Sequence, residues 1–220
     1  MKKELAVSIV AGFCLSGIGG AGAASFAAAA KVSTLGLGVE VTTNLLPDVN
    51  ARVGFNTFNI DRDATEDGID YEIELEMQTV TGFIDWHPFT TGFRTTLGLV
   101  VNGNELNMKA RSATSYDIGG TVYTPAQVGT LTGVVGFDNI APYLGIGWGD
   151  AVGADKNWSF VFDLGVLFQG EEDINLSADG LLANNAAFQA DLEQEKQQLE
   201  QDLDDFELFP VLAFGVSYKF

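Results

Sequence analysis

The sequence predicts an all-β chain: an eight-stranded antiparallel β-barrel that crosses a membrane, with short turns at one end, long loops at the other and a helix in the last long loop. Three observations predict it. The last nine residues alternate strictly, with Leu212, Phe214, Val216, Tyr218 and Phe220 set against Ala213, Gly215, Ser217 and Lys219. Period two gives a strand one greasy face and one wet face. Segments of the same period recur along the chain, and the connections between them alternate between short and long.

The N-terminus belongs to export rather than to the fold. Lys2 and Lys3 precede an apolar stretch from Leu5 to Ile18, and Ala21-Gly22-Ala23 supplies an A-x-A cleavage site. Residues 1–23 therefore read as a signal peptide and 24–220 as one barrel domain. The single cysteine, Cys14, lies inside the leader behind Phe13, where a lipoprotein would need a small residue. Disulfides, thiolate nucleophiles and cysteine metal sites are thereby excluded from the mature chain. No later apolar run reaches the roughly 18 residues a helical span needs. A net charge of -19 excludes nucleic acid and a basic lipid-binding patch. Charged residues nevertheless make up only 19% of the chain, so the acidity sits in the connections between glycine- and aromatic-rich strands.

Each strand can be justified in order. Residues 34–43 set Leu35, Leu37, Val39 and Val41 against Gly36, Gly38, Glu40 and Thr42, and 50–60 set Ala51, Val53 and Phe55 against Arg52, Gly54 and Asn56. Residues 70–86 begin with Tyr71, Ile73, Leu75 and Met77 against Glu72, Glu74, Glu76 and Gln78. There the phase changes near Thr79–Val80, which predicts either a bulge or a strand tilting out of the membrane band. Residues 92–109, 131–148, 157–170 and 207–220 complete the visible set. The final strand must run toward the short-turn end, and alternation back along the chain leaves seven strands. An even count without a free edge needs one more strand at 25–32.

The short connections are 44–49, 87–91 and 149–156; the long ones are 61–69, 110–130 and 171–206. Trp86, Trp148, Trp158, Tyr218 and Phe220 all fall at the short-turn end, the pattern of an interfacial aromatic girdle.

Asp85-Trp86-His87-Pro88-Phe89, the run Asn139 to Gly147, Asn157-Trp158 with Phe162 to Val166, and the ending Phe209-Pro210-Val211 to Phe220 resemble a family of small proteobacterial outer-membrane barrels. That family is distantly similar to the eight-stranded porins of ornithine and basic amino-acid uptake associated with carbapenem susceptibility. The resemblance covers about two-thirds of the mature chain and rests on strand and girdle motifs, which specify fold rather than substrate. It implies a bacterial outer-membrane location and a narrow channel for passive uptake of small solutes, cationic amino acids foremost. It supplies no ligand residues. The alternative is a closed structural or adhesion barrel that acts through its extracellular loops without transport. Expected partners are outer-membrane lipid and lipopolysaccharide, the barrel-assembly machinery through the C-terminal strand, and small solutes. No cofactor or metal is expected.

Parity turns Glu40, Arg52, Arg94, Asp163 and Lys219 into the lumen near the short turns, with Glu72, Glu74 and Glu76 lining an acidic entry above them. An eight-stranded lumen is just wide enough for side chains to fill. The cluster reads either as mutually satisfied ion pairs that close the barrel or as a constriction selecting a cationic solute. The run Asp61 to Glu72 has acids at calcium-loop spacing, but Glu66 stands where the turn needs glycine, so an acidic solvated hairpin loop is expected. In Leu181–Glu207, Phe188, Leu192, Leu199, Leu203 and Phe206 recur at helical spacing, which predicts a helix of four or more turns. It is read as a lid, as an arm toward a neighbour, or as packing against the other loops. The one histidine, His87, has no serine convincingly near it, so no enzyme is expected.

Overall fold

The computed structural model describes residues 25–66, 69–89, 91–112, 114–153, 157–203 and 207–220. The signal-peptide reading and Phe206 lie outside these residues. In chain order the elements are β1 (Phe26–Ser33), β2 (Gly36–Leu46), β3 (Val49–Glu66), β4 (Ile69–Trp86), β5 (Phe93–Asn102), β6 (Glu105–Ser112), β7 (Tyr116–Ile118), β8 (Thr121–Tyr123), α1 (Pro125–Val128), β9 (Leu131–Phe137), β10 (Ile140–Trp148), β11 (Trp158–Phe168), β12 (Glu172–Ala178), α2 (Ala186–Leu203) and β13 (Leu208–Lys219).

Eight of them close into a barrel in the order β1-β2-β3-β4-β5-β10-β11-β13, every pair antiparallel. The alanine-rich β1, demanded by parity, is the closing strand: Lys31 lies opposite Gly38 of β2 on one side and Gly215 of β13 on the other. Closure leaves no backbone edge where water is absent.

Lower side chains obey one rule around the ring. Outward positions such as Val39, Ile84, Leu97, Leu99, Leu144, Phe160, Leu164 and Phe214 are apolar and exposed, whereas inward Glu40, Arg52, Asp85, Arg94 and Asp163 are buried. That inverts a soluble protein, and β10, nine residues long, has about the length a tilted strand needs to cross hydrocarbon. At the short-turn end several of the aromatic side chains meet one another. Trp158 and Tyr218 meet edge to face at 4.9 Å, Tyr218 and Phe220 at 5.3 Å, and Phe93 meets Trp148 at 6.3 Å. Trp86 stands 55% exposed on the same rim.

Above the belt three strands continue after a short break. β5 and β6 keep one register along β4, from Asn102 opposite Thr79 to Glu105 opposite Glu76, so they form a single line. Gly103 N–H donates to the Gln78 carbonyl at 2.9 Å across the break. β9 and β10 likewise share one register along them. Between β11 and β12 the register slips by one residue beside Gly170, whose φ is +75°, and further register shifts fall at Asn44/Leu46 in β2 and opposite Asp70/Tyr71 of β4. Of the two readings of Thr79–Val80 the bulge is ruled out, because β3 and β4 pair without interruption from Val49 opposite Trp86 to Glu66 opposite Ile69. What changes at Thr79 is which face carries most of the apolar side chains, not the phase of the strand. Odd-numbered residues of β4 face inward throughout, apolar above (Met77, Leu75, Tyr71) and, Phe83 excepted, polar below (Thr79, Thr81, Asp85).

The expected loop at 61–69 is therefore mostly strand. The expected helix is α2, and the Asn185 carboxamide oxygen caps it by accepting the N–H groups of Ala187 (3.0 Å) and Phe188 (3.2 Å). Phe188 and Leu192 are buried, and Leu199 and Leu203 are half-buried. β7 and β8 form a hairpin on Gly119-Gly120, both at positive φ as a type I′ turn requires.

Candidate functional site

The lumen is filled in layers. At its base the turn after β10 folds inward and buries Ala151 and Val152 against Ala27. His87, 8% exposed, closes the same end.

Above it lies a cluster of three cations and three carboxylates, each from a different strand. Arg52 is the hub. Its Nη1 donates to Glu40 Oε1 at 3.1 Å, its Nη2 to Asp85 Oδ1 at 2.9 Å and to Asp163 Oδ1 at 3.2 Å, and its Nε lies 2.5 Å from Asp85 Oδ2. Arg94 Nη2 donates to Asp163 Oδ1 at 2.6 Å, and its Nη1 donates to the Gly149 carbonyl. Lys31 Nζ bridges Glu40 (2.8 Å) and Asp163 (3.2 Å). Thr96 Oγ1 donates to Asp85 Oδ1 at 2.6 Å. The six formal charges sum to zero, and no side chain among them is more than 8% exposed.

The two barrel strands without a charge in this layer contribute glycine instead. A Cβ on Gly147 of β10 would sit 2.8 Å from Arg94 Nε, and one on Gly215 of β13 would sit 2.6 Å from Lys31 Cγ. Six strands give this layer a large charged side chain and two give none, which makes the room that dense filling requires.

A second, apolar layer seals the lumen above the charges. Phe83 and Tyr143 stack at 4.5 Å and 26°, surrounded by Val100, Ala141, Leu167, Val211, Leu35 and Met77, all buried. Tyr143 fills space left by Gly145, whose Cβ would be 2.5 Å from the phenol oxygen. The Arg52 guanidinium lies 5.2 Å above the Phe83 ring, joining the two layers. Cavities of ≈ 10 Å³ beside His87 and ≈ 20 Å³ beside Lys31 and Tyr143 remain, each room for about one water molecule.

At the long-loop end α2, α1 and the β7–β8 hairpin cover the inner face of the upper sheet. Phe188, Leu192, Tyr116, Ile118 and Val128 form one core there with Ala110, Tyr71 and Leu131. Tyr123 donates to Asp191 Oδ2 at 2.5 Å, Gly119 N–H donates to Glu195 Oε2 at 3.0 Å, and the Tyr123 ring meets Phe188 edge-on at 4.9 Å. The hydrogen bond to the Asp191 carboxylate raises the Tyr123 phenol above its ordinary pKa. Of the three readings of the helix, the contacts show packing against the other loops and the upper sheet.

Of the expected lumen residues, Glu40, Arg52, Arg94 and Asp163 meet as read. Lys219 does not join them; it is half-buried near the end of β13, and Lys31 is the third cation. Glu72, Glu74 and Glu76 form no lumen entry. With no bulge in β4 they lie on the outward face, opposite Asp63, Asp61 and Asn59 of β3. Sequence reasoning missed Lys31, Asp85, Thr96 and Tyr143. Lys31 was legible as the one charge in an alanine-rich strand, and Asp85 by carrying the parity of Tyr71 unbroken down β4.

This architecture defines the class: a closed eight-stranded antiparallel barrel with a covered long-loop end. The chain is similar to CarO2 of Acinetobacter baumannii, with a TM-score of 0.59 at 21% identity over 89% of this chain and 98% of that one. It is similar also to CarO of the same organism, with a TM-score of 0.54 at 21% identity over 87% and 96%. The distant resemblance seen in the motifs therefore holds for the fold. No protein-family model matches the sequence, and no curated protein matches it.

Proposed function

We propose that the protein is a bacterial outer-membrane barrel with a closed lumen, working through the surface at its long-loop end rather than by passing solutes. The observation that carries this reading is the double filling of the lumen, a neutral ion-pair layer beneath a stacked apolar layer. A lysine-sized solute would have to separate both, and desolvating the broken ion pairs costs several kcal/mol per ion. The exposed apolar belt, the girdle and the closed backbone support the membrane location, with short turns periplasmic and long loops extracellular. His87 shares its cavity with Thr42 as the sole hydroxyl and with the buried cations Arg52 and Arg94, which supports a structural role over a catalytic one.

Planar-bilayer recordings and liposome swelling test the reading. No unitary conductance, and equal negligible swelling with lysine, ornithine and glutamate, are expected. Stable conductance steps, or faster swelling with lysine and ornithine than with glutamate, would restore the uptake channel implied by the sequence resemblance.

A further inference from the structure

β3 outruns its neighbour. β2 pairs with it from Leu46 opposite Val49 to Leu37 opposite Thr57 and then turns back, whereas β4 accompanies it to Glu66. From Phe58 onward β3 is flanked on one side only. Backbone groups of a strand point alternately to its two sides, so about half of the donors and acceptors in this stretch face away from β4. Among the described residues none of them makes a backbone hydrogen bond elsewhere. At the other margin of the upper sheet α2 lies against β12, yet Asp61, Arg62, Asp63 and Ala64 are exposed on both faces. A long uncovered edge is a template for another strand unless it is blunted.

We propose that this edge binds an extended, basic polypeptide segment by strand addition. The vacant place lies in line with β2, above the β1–β2 turn. Gly36 (φ +103°) packs there so tightly that a Cβ would be 2.5 Å from the Thr57 carbonyl oxygen. An added strand would set alternate side chains against the two faces of β3. On the outer face it meets Asp61 and Asp63, backed in register by Glu74 and Glu72. On the inner face it meets Phe58, 41% exposed, and Ile60. The partner is thus a segment alternating lysine or arginine with apolar residues, its apolar contacts strongest near the membrane. A second copy of this chain would bring like carboxylates together, and Asp61 and Asp63 act against self-pairing while admitting a cationic strand.

The proposal rests on the upper sheet facing outward from the membrane. A nine-residue lysine/valine alternating peptide, fluorescently labelled, is titrated against the full mature protein in detergent and followed by anisotropy. Saturable binding is expected. It should weaken at least about tenfold when every peptide nitrogen is methylated, when glutamate replaces lysine, or when the protein carries Asp61→Lys with Asp63→Lys. A carbonyl-labelled peptide should show a β-sheet amide band on binding. If the methylated peptide binds within about twofold of its parent, the surface attracts charge alone and the proposal fails; it fails too if the parent does not bind. Conductance does not enter this assay, so the closed-lumen reading and the edge proposal can fail separately.

Discussion

The two halves of β4 carry one unbroken alternation into two solvents. Below Thr79 its outward residues Val80, Ile84 and Trp86 are apolar, and its inward residues Thr81 and Asp85 are polar and buried, with Phe83 of the apolar layer between them. Above it the outward residues are Glu72, Glu74 and Glu76, and the inward residues Leu75 and Tyr71 join apolar cores. The lower half is built inside out, with charges at the centre and oil at the surface. The upper half is built like any water-soluble sheet. Hydrocarbon makes an outward apolar side chain costless and an inward charge tolerable only when fully paired; water reverses both. In the proposed outer-membrane reading the boundary crosses the strand near Gln78, where the β3–β4 pairing continues unbroken.

The contrast can be broken most severely at its ionic centre. Arg52→Leu would leave three carboxylates facing one another with Lys31 and Arg94 as their remaining cations, and should cost about 3–5 kcal/mol, read as a lower urea midpoint for unfolding from lipid–detergent micelles. A charge on the lipid face comes next. Leu144→Arg should cost about 2–4 kcal/mol, while Glu74→Arg on the upper face should stay within about 0.5 kcal/mol; equal costs would place both faces in the same solvent.

The layered filling predicts a conductance asymmetry. Arg94→Ala alone should leave planar bilayers silent because the Phe83–Tyr143 stack stays intact, and Arg94→Ala combined with Tyr143→Ala should produce the first measurable steps. A channel opened by Arg94→Ala alone would make the ion layer the sole barrier.

The smallest effect lies at the long-loop end. The Tyr123 phenol has a raised pKa when docked on Asp191, so the stability it lends is complete below its ordinary value of 10.0 and is lost as pH rises through the higher docked value. Proteolytic nicking of the β7–β8 hairpin should accelerate above that range, and Tyr123→Phe should flatten the pH dependence.

Sequence by itself determined the strand set, the sealing strand before residue 34, the gathering of aromatics at the short-turn end and the helix in the last long loop. Each of these is written in local periodicity, and a side chain's alternation is a property of its own strand. Only the tertiary structure decided which charges meet. Lys31 and Asp163 are 132 residues apart and touch because β1 closes the ring against β13, which pairs in turn with β11. It also decided which way Glu72, Glu74 and Glu76 face. The sequence shows that the greasy side of β4 changes, but the same change arises from a bulge within the strand or from a new solvent outside it. Only pairing along the whole length of β3 separates the two, because register is a relation between strands and not a property of either one.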